Sequence, residues 1–337
     1  MSVHVATIRY DAVEALALST SGIQLIVVPE VGGKVISLRS TVTGREYLWR
    51  DPNRKLRPVV YGSNFGGFDI SGFDDCFPTV DECRYPEGGF QGLSVPDHGE
   101  LWCQRWTAHH LQDGLHLVVT GRRFPYRFEK WITLASDPPQ VRFDYRVTSA
   151  GNSPFTYLWV AHPLLAMEEN SRVIVPGHPK AYSTFALGQR IDATFRHSWA
   201  WPHAPTSDGR TVDYSLLGAC TQAANDKVWL HSPPGGWCAL QHPGDPERLV
   251  VTFDPRLLPW LGICVNHCGW PDRDPGYWVA IEPGTSRHDA LDKAIVRGTA
   301  VTLHPRQQHR WHISFTIAPR PPSAGIPDNP SDRLSLD

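Results

Sequence analysis

Val141-Arg142-Phe143-Asp144-Tyr145-Arg146-Val147-Thr148 alternates a large apolar residue with a charged or hydroxylated one at every step. Successive side chains of an extended chain point to opposite faces, so a period of two reads as a strand with one face buried and one wet. The alternation returns near the C-terminus, where His309, Trp311, Ile313, Phe315 and Ile317 interleave with Arg310, His312, Ser314 and Thr316. Shorter runs at 23–28, 34–38, 115–120, 126–134, 155–160, 237–241, 249–253 and 277–282 read the same way. Turn chemistry separates them, as at Val31-Gly32-Gly33, Asp113-Gly114, Asp137-Pro138-Pro139 and Pro233-Pro234-Gly235-Gly236. Helical patterning is scarce: residues 290–296 suit two turns and 164–170 one or two. The 30 Pro and 28 Gly fit many short strands joined by turns. The expectation is one all-β domain over residues 1–318, a sandwich of antiparallel sheets with few short helices. A Pro/Ser-rich tail is expected over 319–337.

The composition bounds the partners. With 41% hydrophobic residues, 13 of the 337 being Trp, and 20% charged residues, the chain can bury a large core and is not of disordered type. The net charge is −2 and no Lys/Arg run stands out, so neither nucleic acid nor an anionic membrane is expected as a partner. Residues 1–18 lack a basic start and an apolar centre, and no run approaches the ~18–20 apolar residues of a membrane span. A soluble, cytoplasmic protein is expected, its oligomeric state (monomer or homodimer) left open. Seven cysteines form an odd set, read most simply as reduced, buried thiols. Cys264-Val265-Asn266-His267-Cys268 places two thiols and an imidazole close together. Zinc would want a fourth ligand and the usual Cys-x2-Cys pairs are absent, so no metal site is expected.

Three segments carry candidate chemistry. Val95-Pro96-Asp97-His98-Gly99-Glu100-Leu101-Trp102 gathers two acids, an imidazole and an indole on a bend set by Pro96 and Gly99. Phe155-Thr156-Tyr157-Leu158-Trp159-Val160-Ala161-His162-Pro163 is an apolar strand ending in histidine, which by parity shares a face with Leu158 and Val160. Tyr277-Trp278-Val279-Ala280-Ile281-Glu282-Pro283-Gly284 ends likewise in one carboxylate before proline. A carboxylate in apolar surroundings needs a partner or a task. Together Glu282, His162 and His98 suit general acid–base catalysis, although a satisfied core histidine and a structural acid fit the same residues.

The order Gly32-Gly33-Lys34-Val35-Ile36-Ser37-Leu38, Thr43-Gly44-Arg45-Glu46-Tyr47-Leu48-Trp49, Pro96-Asp97-His98-Gly99, His162-Pro163 and Glu282-Pro283 resembles the aldose 1-epimerase (galactose mutarotase) family over roughly residues 20–317. The resemblance implies an antiparallel β-supersandwich that interconverts the α and β anomers of a hexose or related sugar without metal or other cofactor. It matches Glu282 to the general base, His162 to the general acid and His98 to a second active-site imidazole. Where better-known branches place an arginine beside the sugar, this chain reads Asp69-Ile70-Ser71-Gly72-Phe73-Asp74-Asp75-Cys76-Phe77-Pro78. Asp74 and Asp75 can grip sugar hydroxyls as acceptors or serve turn chemistry. Asp97, Trp102 and Trp270 complete the candidate sugar contacts, among aromatics that include Phe65, Phe68, Phe73 and Trp260. No arginine lies in 69–78, so a phosphosugar is not expected unless Arg84, Arg122 or Arg123 folds in. Two other readings stay open: a carbohydrate-binding protein without turnover, and a polysaccharide lyase or glycosidase using a Glu282/Asp75 pair.

Overall fold

The computed structural model describes residues 3–194 and 197–321. Two antiparallel sheets dominate it. The larger has eleven strands, with Phe73–Cys76, Val160–Ala166, Tyr277–Gly284, Trp260–His267 and Ala224–His231 side by side in its middle. The smaller has eight, centred on Gln308–Pro319, Pro139–Ser149 and Tyr126–Ser136. Val141, Phe143, Tyr145 and Val147 are buried and their alternates half-buried, as the period of two requires. They pack with Ile313, Phe315 and Ile317 and with Val279, Ile281, Ile263 and Val228 of the larger sheet, forming the core between the sheets. The fold is an all-β supersandwich with one α-helix, Leu291–Val296, among the described residues.

Three local expectations are corrected. Residues 164–170 form no helix: Leu164 and Leu165 lie in Val160–Ala166, paired with Ala280 and Val279. The strand expected at 155–160 is broken, because Phe155–Tyr157 pairs instead with Val301–Leu303 and a new strand starts at Val160. The cysteines are not all reduced: Cys220 and Cys268 form a disulfide across 48 residues. Cys220 lies in a short 3-10 turn and Cys268 just follows the strand Trp260–His267, so the sequence held no spacing that would pair them. No described helix is long and apolar enough to cross a membrane. Of the expected tail, 322–337 lie outside the described residues.

Alternate residues of the central strands face away from the smaller sheet. Leu164, Cys264, Trp278 and Ala280 form a second apolar cluster there, covered by Phe65, Ile70 and Trp102 from two long loops. This loop-covered face carries the candidate site.

Candidate active site

Strand register brings the main groups together. His162 lies opposite Asp74 in one neighbouring strand, and Glu282 lies opposite Gly262 in another. Lys227 pairs with Cys264 one strand further out. The resulting cavity, about 310 Å³, is lined by His98, His162, Glu282, Lys227, Asp289, Asp97, Phe65 and Trp270, among others. That volume falls at the small end of the range for small-molecule sites.

Glu282 is fully buried, and its Oε1 stands 3.6 Å from His162 Nε2. Its other oxygen, Oε2, stands 2.6 Å from the Lys227 ammonium, which also donates to Asp289 Oδ1 at 2.7 Å. Burial pushes the Glu282 carboxyl up; the Lys227 charge opposes this and Asp289 reinforces it, and the net direction is upward. His162 is driven well below the usual histidine range, first by burial and then by the charges of His98, Lys227 and Lys34. Burial disfavours charge on Lys227 too, yet Asp289 and Glu282 outweigh it and hold the ammonium well above its ordinary pKa.

His98 is fixed from several sides. Its φ is +56°, a left-handed conformation that a residue with a Cβ adopts only when its surroundings impose it. Its N–H donates to Val80 O at 2.6 Å, and the next residue, Gly99, has φ +76°. A Cβ on Gly99 would stand 2.0 Å from Phe77 O, so only glycine fits this bend. His98 Nδ1 is 2.7 Å from Asp97 Oδ1, leaving Nε2 as the ring nitrogen for other partners. Asp97 Oδ2 accepts the Phe65 N–H at 2.7 Å. Burial alone would raise the Asp97 carboxyl, but the bonds from His98 and Phe65 win and lower it. Phe65 stacks on the His98 ring at 3.8 Å and 6°, and both meet His162 edge-on.

The other sequence candidates divide. Asp97 and Trp270 line the cavity. Trp270 is aimed by buried Asn266, whose Oδ1 accepts the Gly269 and Trp270 N–H groups while its Nδ2 donates to Trp270 O. Trp102 does not line the cavity: it is 1% exposed, edge-on behind Phe65, and its Nε1 donates to Asp97 O at 2.9 Å. Asp74 and Asp75 are placed otherwise than as sugar contacts. Asp74 is ion-paired with Lys34 at 2.8 Å and Asp75 with Lys130 at 2.9 Å, all four side chains being buried. Lys130 comes from the smaller sheet, so its bond to Asp75 ties the two layers. Phe73 belongs to the core between the sheets, and Trp260 packs on His231 and Tyr182. Arg122 and Arg123 donate their backbone N–H groups to Glu100, away from the cavity lining.

Cys264, His267 and Cys268 go three ways. Cys264 lines the cavity, His267 Nε2 accepts the Gly218 N–H at 3.0 Å, and Cys268 is in the disulfide. A different trio, Cys76, His98 and His162, has potential ligand atoms within 4.8 Å of one another. Burial, then Glu282 and Asp74, push the Cys76 thiol well up, toward its protonated form.

Lys227 and Asp289 were missed by sequence reasoning. Lys227 sits in Asn225-Asp226-Lys227-Val228-Trp229-Leu230, a strand the alternation did not reveal. A buried strand lysine is rare without a partner, so that residue was the available signal. Asp289 follows its strand by five residues and carries no motif of its own.

The fold is the galactose mutarotase-like β-supersandwich. Similar solved structures include a galactose mutarotase related enzyme from Lactobacillus acidophilus, at 15% identity and TM-score 0.63, over 93% of this chain and 97% of that one. A galactose mutarotase-like protein from Clostridium acetobutylicum matches at 14% identity and TM-score 0.66, over 95% and 99%. Another, from Lactobacillus casei, matches at 15% and 0.62, over 93% and 100%. No family model and no curated protein matches the chain.

Proposed function

We propose that the protein is an aldose 1-epimerase acting on a free, neutral hexose or a related sugar. The observation that carries this reading is the buried Glu282–His162 pair, 3.6 Å apart, on the wall of a cavity of sugar size. Burial raises the carboxyl and lowers the imidazole. A raised carboxyl is a stronger base and a lowered imidazolium a readier acid, which suits a base and an acid acting in one step.

In the proposed reaction Glu282 takes the proton of the C1 hydroxyl as His162 gives one to the ring oxygen. The C1–ring-oxygen bond breaks and C1 becomes an aldehyde. Rotation about C1–C2 presents the other face. The ring oxygen then adds back, returning its proton to His162, and Glu282 returns the first proton to O1. His98, oriented by Asp97 and Phe65, holds a sugar oxygen through Nε2, and Trp270 offers an aromatic face. The two-carboxylate arrangement of a glycosidase is not supported for Glu282 and Asp75, because Asp75 is bound to Lys130 and is absent from the cavity lining. The test is a panel of anomerically pure aldoses followed by polarimetry or NMR. Acceleration of anomer exchange for at least one sugar is expected; binding without acceleration would favour a carbohydrate-binding protein.

A further inference from the structure

Glu282 is fully buried, yet a base must be ionised. Its surroundings show what can keep it so. The strand Val160–Ala166 brings His162 to it, Phe73–Cys76 brings Cys76, Trp260–His267 brings Cys264, and the bend after Pro96 brings His98. Burial holds His162 toward its neutral form and both thiols protonated. Lys227, from Ala224–His231, reaches the carboxylate itself, at 2.6 Å. Its ammonium lies 4.8 Å from the Trp229 ring centroid and 2.7 Å from Asp289, both of which favour the charge.

We infer that Lys227 is the positioning residue of the catalytic carboxylate: its ammonium, anchored by Asp289, keeps Glu282 ionised and holds Oε2, so that Oε1 faces His162 and the sugar. The inference rests on the reading of Glu282 as the base. Asp289 has two opposed effects. It stabilises the Lys227 charge that favours the carboxylate, and its own negative charge disfavours it. Removing the ammonium should therefore raise the Glu282 pKa, whereas neutralising Asp289 with an amide that still accepts from Lys227 should lower it. A lysine that merely filled space would give no such pair of opposite shifts.

The experiment is a pH titration of the free protein labelled with [5-13C]glutamate, the Glu282 signal being the one lost in Glu282→Gln. The pH profile of kcat/KM is recorded alongside. Lys227→Met should move the Glu282 titration and the acidic limb of the profile to higher pH by about one unit or more. Asp289→Asn should move both to lower pH, and Lys227→Arg should hold them near wild type. Should Lys227→Met fail to fold, the other two variants carry the test. An unmoved titration in Lys227→Met, or an upward shift in Asp289→Asn, would overturn the inference. The carboxyl titration needs no turnover. A protein inert to every sugar whose Glu282 signal shifts as stated would keep the clamp and remove the mutarotase reading.

Discussion

Gly262 stands directly opposite Glu282 in the sheet, and a Cβ added there would lie 2.7 Å from Glu282 Oε2 and 3.1 Å from the Trp229 ring. The missing side chain is the space the carboxylate occupies. Gly262→Ala should push Glu282 off Lys227 and away from its place beside His162. A shift of about 1 Å in a reacting group can cost on the order of 10² in rate, so a loss of that size in kcat is expected. Near wild-type kcat with Gly262→Ala would show that the carboxylate tolerates displacement.

Asp75→Asn should act on stability rather than on sugar affinity. It leaves the Lys130 ammonium buried without its counter-charge, and removing one partner of a buried pair costs about 3–5 kcal/mol. Denaturant melts should show a clear loss, while the sugar KM of the folded fraction stays near wild type. A changed KM with unchanged stability would return Asp75 to the sugar.

Neutral sugars should be preferred over their 6-phosphates. The cavity wall carries the carboxylates Asp81, Asp97, Glu282 and Asp289 against the cation Lys227, already engaged by two of them. A phosphate would meet like charge with no arginine fork to receive it. Competition assays should rank glucose above glucose 6-phosphate; the reverse order would require a cation the cavity wall does not offer.

Acid should destabilise the fold through buried neutral histidines. His267 is pushed down to about 3, chiefly by burial, and its Nε2 accepts a backbone N–H. A group whose folded pKa lies below its unfolded value of about 6.5 contributes stability above that pH and loses it as the pH falls toward 3. His267→Gln, which keeps an acceptor, should flatten the fall in thermal midpoint between pH 6.5 and 4. An identical fall in wild type and variant would exclude His267 as a source.

The architecture was legible because burial on one face writes a period of two, as at 141–147 and 309–317. Strands buried on both faces lose that signature. Trp260–His267 and Ala224–His231 are buried nearly throughout, and both went unread, taking Lys227 with them. His98, His162 and Glu282 were singled out because each stands at a proline- or glycine-marked position that fixes the backbone. Asp74 and Asp75 looked available for sugar because sequence does not reveal that Lys34 and Lys130 arrive from distant strands. The Cys220–Cys268 bond was hidden for the same reason.

Glu282→Gln tests the central reading most directly, measured as anomer exchange on the sugar that the wild type turns over best. The amide keeps the shape of the side chain but removes the base. Turnover should fall by about 10²–10⁴ while affinity for a non-reacting sugar changes little. His162→Asn should lose a similar amount, and the double variant little more than either alone, since neither group works without the other. Near wild-type anomer exchange in Glu282→Gln would contradict the proposed mechanism.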